Sequence, residues 1–118
     1  MKLRIHGNSL RLRLTRKEVG QLHDGGRVES MIEFAPGRAL AYVLEGSHGD
    51  SSVTASFDGR TIVVGVPVPM MKTWAEGEEV SIEGSAPSGV QLLIEKDFQC
   101  MHKPGHQDPD AYPNPLAS

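Results

Sequence analysis

Cysteine is nearly missing from this chain: among 118 residues only Cys100 carries a thiol, so no internal disulfide can form. A disulfide-stapled secreted scaffold is therefore excluded, and an unpaired thiol fits a reducing compartment. Aromatic residues are scarce too, at three Phe, two Tyr and one Trp, which leaves the core to aliphatic side chains. No apolar run approaches the length of a membrane span, and the opening Met-Lys-Leu-Arg-Ile-His lacks the continuous apolar segment of a secretory signal. These features lead us to expect a cytoplasmic protein with no membrane contact. The chain also has no glycine-rich phosphate loop after a strand, no His-Glu-x-x-His pattern and no Gly-x-Ser-x-Gly elbow. Ser47-His48-Gly49-Asp50 offers hydrolase-type residues, but consecutive loop positions point apart, and a linker explains the string better. Catalysis is not expected.

What remains is a small domain, 38% hydrophobic and 23% charged, with a net charge of −3. At this length roughly two-thirds of the unfolded chain's surface can be buried, enough for one core. The charge is uneven. Up to Gly46 there are eight Lys/Arg against five Asp/Glu; beyond it there are four against ten. A basic first half suits an anionic partner that the second half repels, so any such contact is one-sided.

Leu3 to Ile5 and Leu10 to Leu14 alternate apolar with polar residues around the turn-forming His6-Gly7-Asn8-Ser9, the pattern of a β-hairpin. Thr15 followed by Glu18 forms a capping box that opens a short helix through Leu22, and Asp24-Gly25-Gly26 stops it. Strand-like runs at Val28 to Phe34 and Ala39 to Leu44 flank Pro36-Gly37. The unit is ββαββ. A shift of fifty-two positions then brings Ile5 onto Phe57, Gly7 onto Gly59, Leu12 onto Val64, Val19 onto Met71, Leu22 onto Trp74 and Tyr42 onto Ile94. Apolar positions coincide while exposed polar residues differ, so the chain reads as a duplication. Met71 and Trp74, three apart on the second helix, are expected in the core with Met70 beside them, in preference to a soft-metal patch. Glu76, Glu78 and Glu79 read as a solvated turn, with a cation site the lesser alternative.

The string Ile5-His6-Gly7-Asn8-Ser9-Leu10-Arg11-Leu12-Arg13-Leu14-Thr15 resembles the Gly-Asn-Ser, Arg-Ile-Pro region of AbrB/MazE-type transition-state regulators and antitoxins. Phe57 to Pro67 with Glu76-Gly77-Glu78-Glu79-Val80 is similar to the same pattern. In that family two chains interlace hairpins into one swapped-hairpin barrel. The resemblance implies a mostly β fold with two short helices, in which tandem ββαββ units make a single-chain, pseudo-dimeric swapped-hairpin-like barrel that is monomeric. The barrel would span residues 1–96, with units at about 1–46 and 53–96. Residues 97–118 would follow as a Pro-rich extension packed on it. Separately, Glu95-Lys96-Asp97-Phe98-Gln99-Cys100 with Asp110-Ala111-Tyr112-Pro113-Asn114-Pro115 resembles a small bacterial family with no assigned function.

If Leu3, Ile5, Leu10, Leu12 and Leu14 point inward, Lys2, Arg4, His6, Arg11 and Arg13 stand on the opposite face. Lys2, Arg4, Arg11 and Arg13 are the candidate site for nucleic acid or an acidic protein surface, as a regulator-like or antitoxin-like binding module. In the resembling family the corresponding ribbon face meets DNA. An ordinary solvated face is the competing reading. Ser56, Val63 and Gly65 at the matching second-half positions depart from the family's charge, and Thr15 replaces its proline where Pro67 retains it. The alternative function is metal binding: Cys100, His102 and His106 lie within seven residues and carry zinc- or copper-binding donors, although the spacing matches no standard zinc-finger pair. Against it stands an extension anchored by Phe98 and Tyr112, with its Asp-Pro and Asn-Pro steps setting turns.

Overall fold

The computed structural model describes residues 1–97. Along them run β1 (Lys2–His6), β2 (Ser9–Leu14), α1 (Arg16–Gly25), β3 (Arg27–Ala35), β4 (Arg38–Ser47), β5 (Thr54–Phe57), β6 (Thr61–Pro67), α2 (Val68–Glu76), β7 (Ser81–Ser85) and β8 (Gln91–Lys96). The expected mostly β class with two short helices is what forms.

Local chemistry sets each boundary. The Thr15 hydroxyl accepts from the Glu18 N–H at 3.3 Å while the Glu18 carboxylate accepts from the Thr15 N–H at 2.9 Å, the reciprocal cap expected for α1. Partial burial pushes the Glu18 carboxyl up, but the Met1 ammonium and the Thr15 N–H and hydroxyl outweigh it and hold the group below its ordinary value. The helix runs one turn past Leu22, to Gly25. It ends where Gly26 takes a left-handed φ of 75° and returns its N–H to the Leu22 carbonyl at 2.8 Å. Helix α2 starts differently, with Pro67 as an N-cap that makes no side-chain bond and with Pro69 in the first turn. At its other end the Lys96 ammonium donates to the Gly77 carbonyl at 2.9 Å and sits 5.5 Å from the centroid of the Trp74 ring.

Two four-stranded sheets result, ordered β1-β2-β8-β7 and β3-β4-β6-β5. Each joins an early hairpin to a late one. The joints are parallel: β2 lies beside β8 with Leu12 opposite Ile94, and β4 beside β6 with Leu44 opposite Val64. One core fills the space between the sheets. Leu12, Leu14, Ile82, Leu92 and Ile94 come from the first sheet and Val28, Leu44, Val64 and Val66 from the second. The helices add Val19, Leu22, Met71 and Trp74. Trp74 is fully buried, and its indole N–H is satisfied by the Val80 carbonyl at 3.1 Å. Met71 and Trp74 are thus core residues as expected, whereas Met70 is exposed.

The connections make the two ends of this assembly unlike. Helix α1 links the end of β2 to the start of β3, and α2 links the end of β6 to the start of β7, so both helices cover the same end. The four hairpin turns gather at the other end, where among the described residues no helix covers the inner faces. Ile5 shows the consequence. It shares a face with Leu3 and Leu10, but it is 61% exposed because its position on β1 lies beside the open turns.

At the helix-covered end, His23 in the last turn of α1 reaches Asp24 through Nδ1 and Glu76 of α2 through Nε2, each at 2.9 Å. Both nitrogens face carboxylate oxygens, an arrangement that suits the imidazolium, and these bonds raise the His23 pKa above its ordinary 6.5. A raised folded-state pKa adds stability that is complete below the unfolded value and lost as pH climbs through the folded one. Chemical denaturation of wild type and His23→Ala across this range should therefore show the larger difference at acidic pH, closing toward alkaline pH; a gap that widens with pH would refute the bridge.

Gly84 on β7 offers a packing test. A Cβ there would stand 2.5 Å from Val53 Cγ2, and Val53 is a buried, β-branched residue with little rotamer freedom. Gly84→Ala should cost about 1–3 kcal/mol by urea denaturation. An unchanged midpoint would mean that the contact yields freely.

Candidate functional site

The outer face of the first sheet is where the candidate cations come together. Antiparallel pairing sets Lys2 opposite Arg13 and Arg4 opposite Arg11, and parallel pairing continues these rows to Glu95 and Leu93 on β8. The next strand, β7, adds Ser81 and Glu83. Because alternate residues face opposite sides, the intervening row of Leu3, Leu12, Ile94 and Ile82 points into the core. Burial of Leu12 thereby orients Arg11 and Arg13 outward. His6 also lies on this ribbon, opposite Ser9 beside the open turn.

The electrostatics are less one-sided than the ribbon alone suggests. Glu95 Oε1 accepts from Arg13 Nε at 2.9 Å, lies 2.8 Å from a second Arg13 nitrogen and 3.6 Å from Arg11 Nε. Lys2 Nζ is 3.4 Å from Asp97 Oδ2. Arg4 is exposed and makes no ion pair among the described residues. With Glu83 included, four cations share this surface with three carboxylates, a surplus of one positive charge. One oxygen of Glu95 thus binds the Arg13 guanidinium and lies within ion-pair distance of Arg11, so Arg13 loses less conformational freedom on meeting a partner, at the cost of part of the charge of the pair.

Glu95 and Asp97 were not legible as parts of this site. The signal was the alternation Gln91, Leu93, Glu95, but only the β2–β8 register puts that alternation beside the arginines. On the outer face of the second sheet Ser56 and Val63 stand side by side with Gly65 in the next row, and these rows continue to Glu29 and to Glu45 and Arg27, so the cluster of four cations belongs to the first sheet. Cys100, His102 and His106 lie outside the described residues, as do Phe98 and Tyr112. Among the described residues no group of three His, Cys, Asp or Glu side chains is placed to hold a metal ion, and no helix is long and apolar enough to cross a membrane.

Two concave surfaces accompany the ribbon. At the open end, Ile5, Leu10, Leu40, Phe57, Ile62 and Val90 line an apolar groove of about 530 Å³. At the helix end, Leu14, Val19, Ala75, Lys96 and Asp97 line a cleft of about 590 Å³.

By class this is a mostly β protein of two four-stranded sheets and two helices sharing one core, with a charged ribbon exposed on one sheet. More particularly, residues 1–116 match the model of a family described as a family of unknown function (DUF7009), and the chain belongs to that family. Neither the comparison with curated proteins nor that with solved structures returned a match.

Proposed function

We propose that the chain is a non-catalytic binding module that meets an anionic surface through Lys2, Arg4, Arg11 and Arg13. The observation that carries this reading is the register that sets Lys2 beside Arg13 and Arg4 beside Arg11 on one outward face. The interspersed Glu83, Glu95 and Asp97 favour an acidic protein surface with its own alternation of charge. An unbroken row of phosphates would meet those carboxylates unfavourably. Nucleic acid is the partner suggested by the resemblance to AbrB/MazE-type regulators and antitoxins. In this reading the fold is a single-chain counterpart of their swapped-hairpin barrel, made by duplication. Support comes from the parallel joints β2–β8 and β4–β6, which join the two halves twice. It comes also from burial of both members of the pairs Leu12 and Val64, Val19 and Met71, and Leu22 and Trp74. Neutral Ser56, Val63 and Gly65 make the binding surface one-sided.

Fluorescence anisotropy with a labelled DNA duplex and with labelled polyglutamate tests this directly. Arg4→Glu combined with Arg11→Glu should abolish binding, and Glu95→Gln should tighten it by releasing charge. With the duplex, affinity should also fall steeply with added salt. Wild-type affinity in the double variant would reject the basic face as the site.

The second reading is a metal site on Cys100, His102 and His106, favoured by three zinc- or copper-type donors within seven residues. Elemental analysis of untagged protein should then find one zinc or copper ion per chain, lowered by Cys100→Ser. Metal-free wild-type protein that takes up neither ion would end this reading.

A further inference from the structure

Four strands lie at sheet edges, and three of them are short: β1 and β7 have five residues each and β5 has four. The fourth, β3, has nine. Short edges are one of the devices by which proteins avoid unwanted strand pairing, together with lysine, proline, other charges and bulges. Strand β3 is long and has no lysine or proline, its charges are Arg27, Glu29 and Glu33, and its one bulge, between Glu33 and Ala35, leaves Arg27 to Glu33 in regular register. Among the described residues nothing pairs with its outer side. It also carries Met31, Ile32 and Phe34, exposed by 64%, 48% and 73%.

The backbone shows which groups this edge offers. Gly46 N–H donates to the Gly26 carbonyl at 2.9 Å, which makes Gly26 and Gly46 a hydrogen-bonded pair of the β3–β4 ladder. By the alternation of an antiparallel ladder, Val28, Ser30 and Ile32 also bond toward β4. Arg27, Glu29, Met31 and Glu33 therefore turn their N–H and C=O groups outward. The β4 backbone follows the same alternation, since Ala41, opposite Met31, sends its N–H away from β3 to the Arg60 carbonyl at 3.0 Å.

We propose that β3 pairs antiparallel with β3 of a second copy of this chain, about a two-fold axis at Ser30. In this register the outward groups of Glu29 meet those of Met31 of the second copy, and Arg27 meets Glu33, each pair occurring twice by symmetry. The side chains agree. Arg27 stands across from a glutamate, and on the inner face Val28 stands across from Ile32, which covers apolar surface exposed in the single chain. Moving the axis to Met31 would set Glu29 against Glu33 twice, and moving it to Glu29 would set two copies of Glu29 against each other. Charge thus selects the Ser30 axis. The Arg27–Glu29 contact within one chain, at 3.4 Å between exposed groups, competes weakly. The two second sheets would become one continuous eight-stranded sheet, leaving the basic face of each first sheet outside the joint.

Sedimentation velocity on the full chain, from micromolar to millimolar concentration, tests the pairing. Wild type should form a dimer. Glu33→Arg alone and Arg27→Glu alone should each weaken it by roughly tenfold, because two symmetry-related contacts turn from attraction to repulsion. The double exchange Arg27→Glu with Glu33→Arg should restore it. Met31→Pro removes an N–H that the β3–β4 ladder does not use, so it should abolish the dimer while leaving the circular dichroism spectrum unchanged. A wild type that stays monomeric, as it would if another part of the chain covered this edge, overturns the proposal. So does a dimer whose dissociation constant is the same as wild type in both single charge variants.

Discussion

The fold depends on two parallel strand pairings, β2 with β8 and β4 with β6. A lone hairpin leaves its apolar face in water and is marginal by itself. Here the hairpin that holds Leu12 and Leu14 reaches sheet size only beside the strand that holds Leu92 and Ile94. The hairpin that holds Val28 and Leu44 does so beside Val64 and Val66. Neither half of the chain completes a sheet without the other, so the core is assembled from sequence-distant partners, a topology associated with slow folding.

The same connectivity accounts for the difference between the ends. Both crossings from one sheet to the other are made by helices, and both occur at the strand ends marked by Leu14, Ser47, Pro67 and Lys96. Trp74, Met71 and Leu22 close the core there. Among the described residues the opposite end has only turns, so inner-face residues such as Ile5 and Phe57 remain exposed despite correct alternation. The β3–β4 hairpin extends farthest beyond its neighbours, since β6 begins opposite Ala41. Exposure of Ile32 and Phe34 follows from that overhang.

On the first sheet, the pairing that builds the core also decides the electrostatics. Had β2 been an edge, Arg11 and Arg13 would face water alone. Joining it to β8 places Glu95 between them, and the end of β8 places Asp97 near Lys2. The ribbon gains order and loses net charge in one step. The proposed preference for an acidic protein surface rests on that exchange.

By itself the sequence determined the local elements. Alternation around Gly7-Asn8 specified the first hairpin, Thr15 with Glu18 specified the start of α1, and the glycines after Asp24 specified its end, because periodicity and backbone bonding act within a few residues. The outward row of Lys2, Arg4, Arg11 and Arg13 was legible for the same reason. Only the tertiary structure decided which strands became neighbours, and hence that Glu95 joined the site and that, among the described residues, Ile5 was left uncovered and β3 remained an open edge. Those outcomes depend on registers between residues some eighty positions apart, such as Arg13 and Glu95, and no local pattern encodes such a distance.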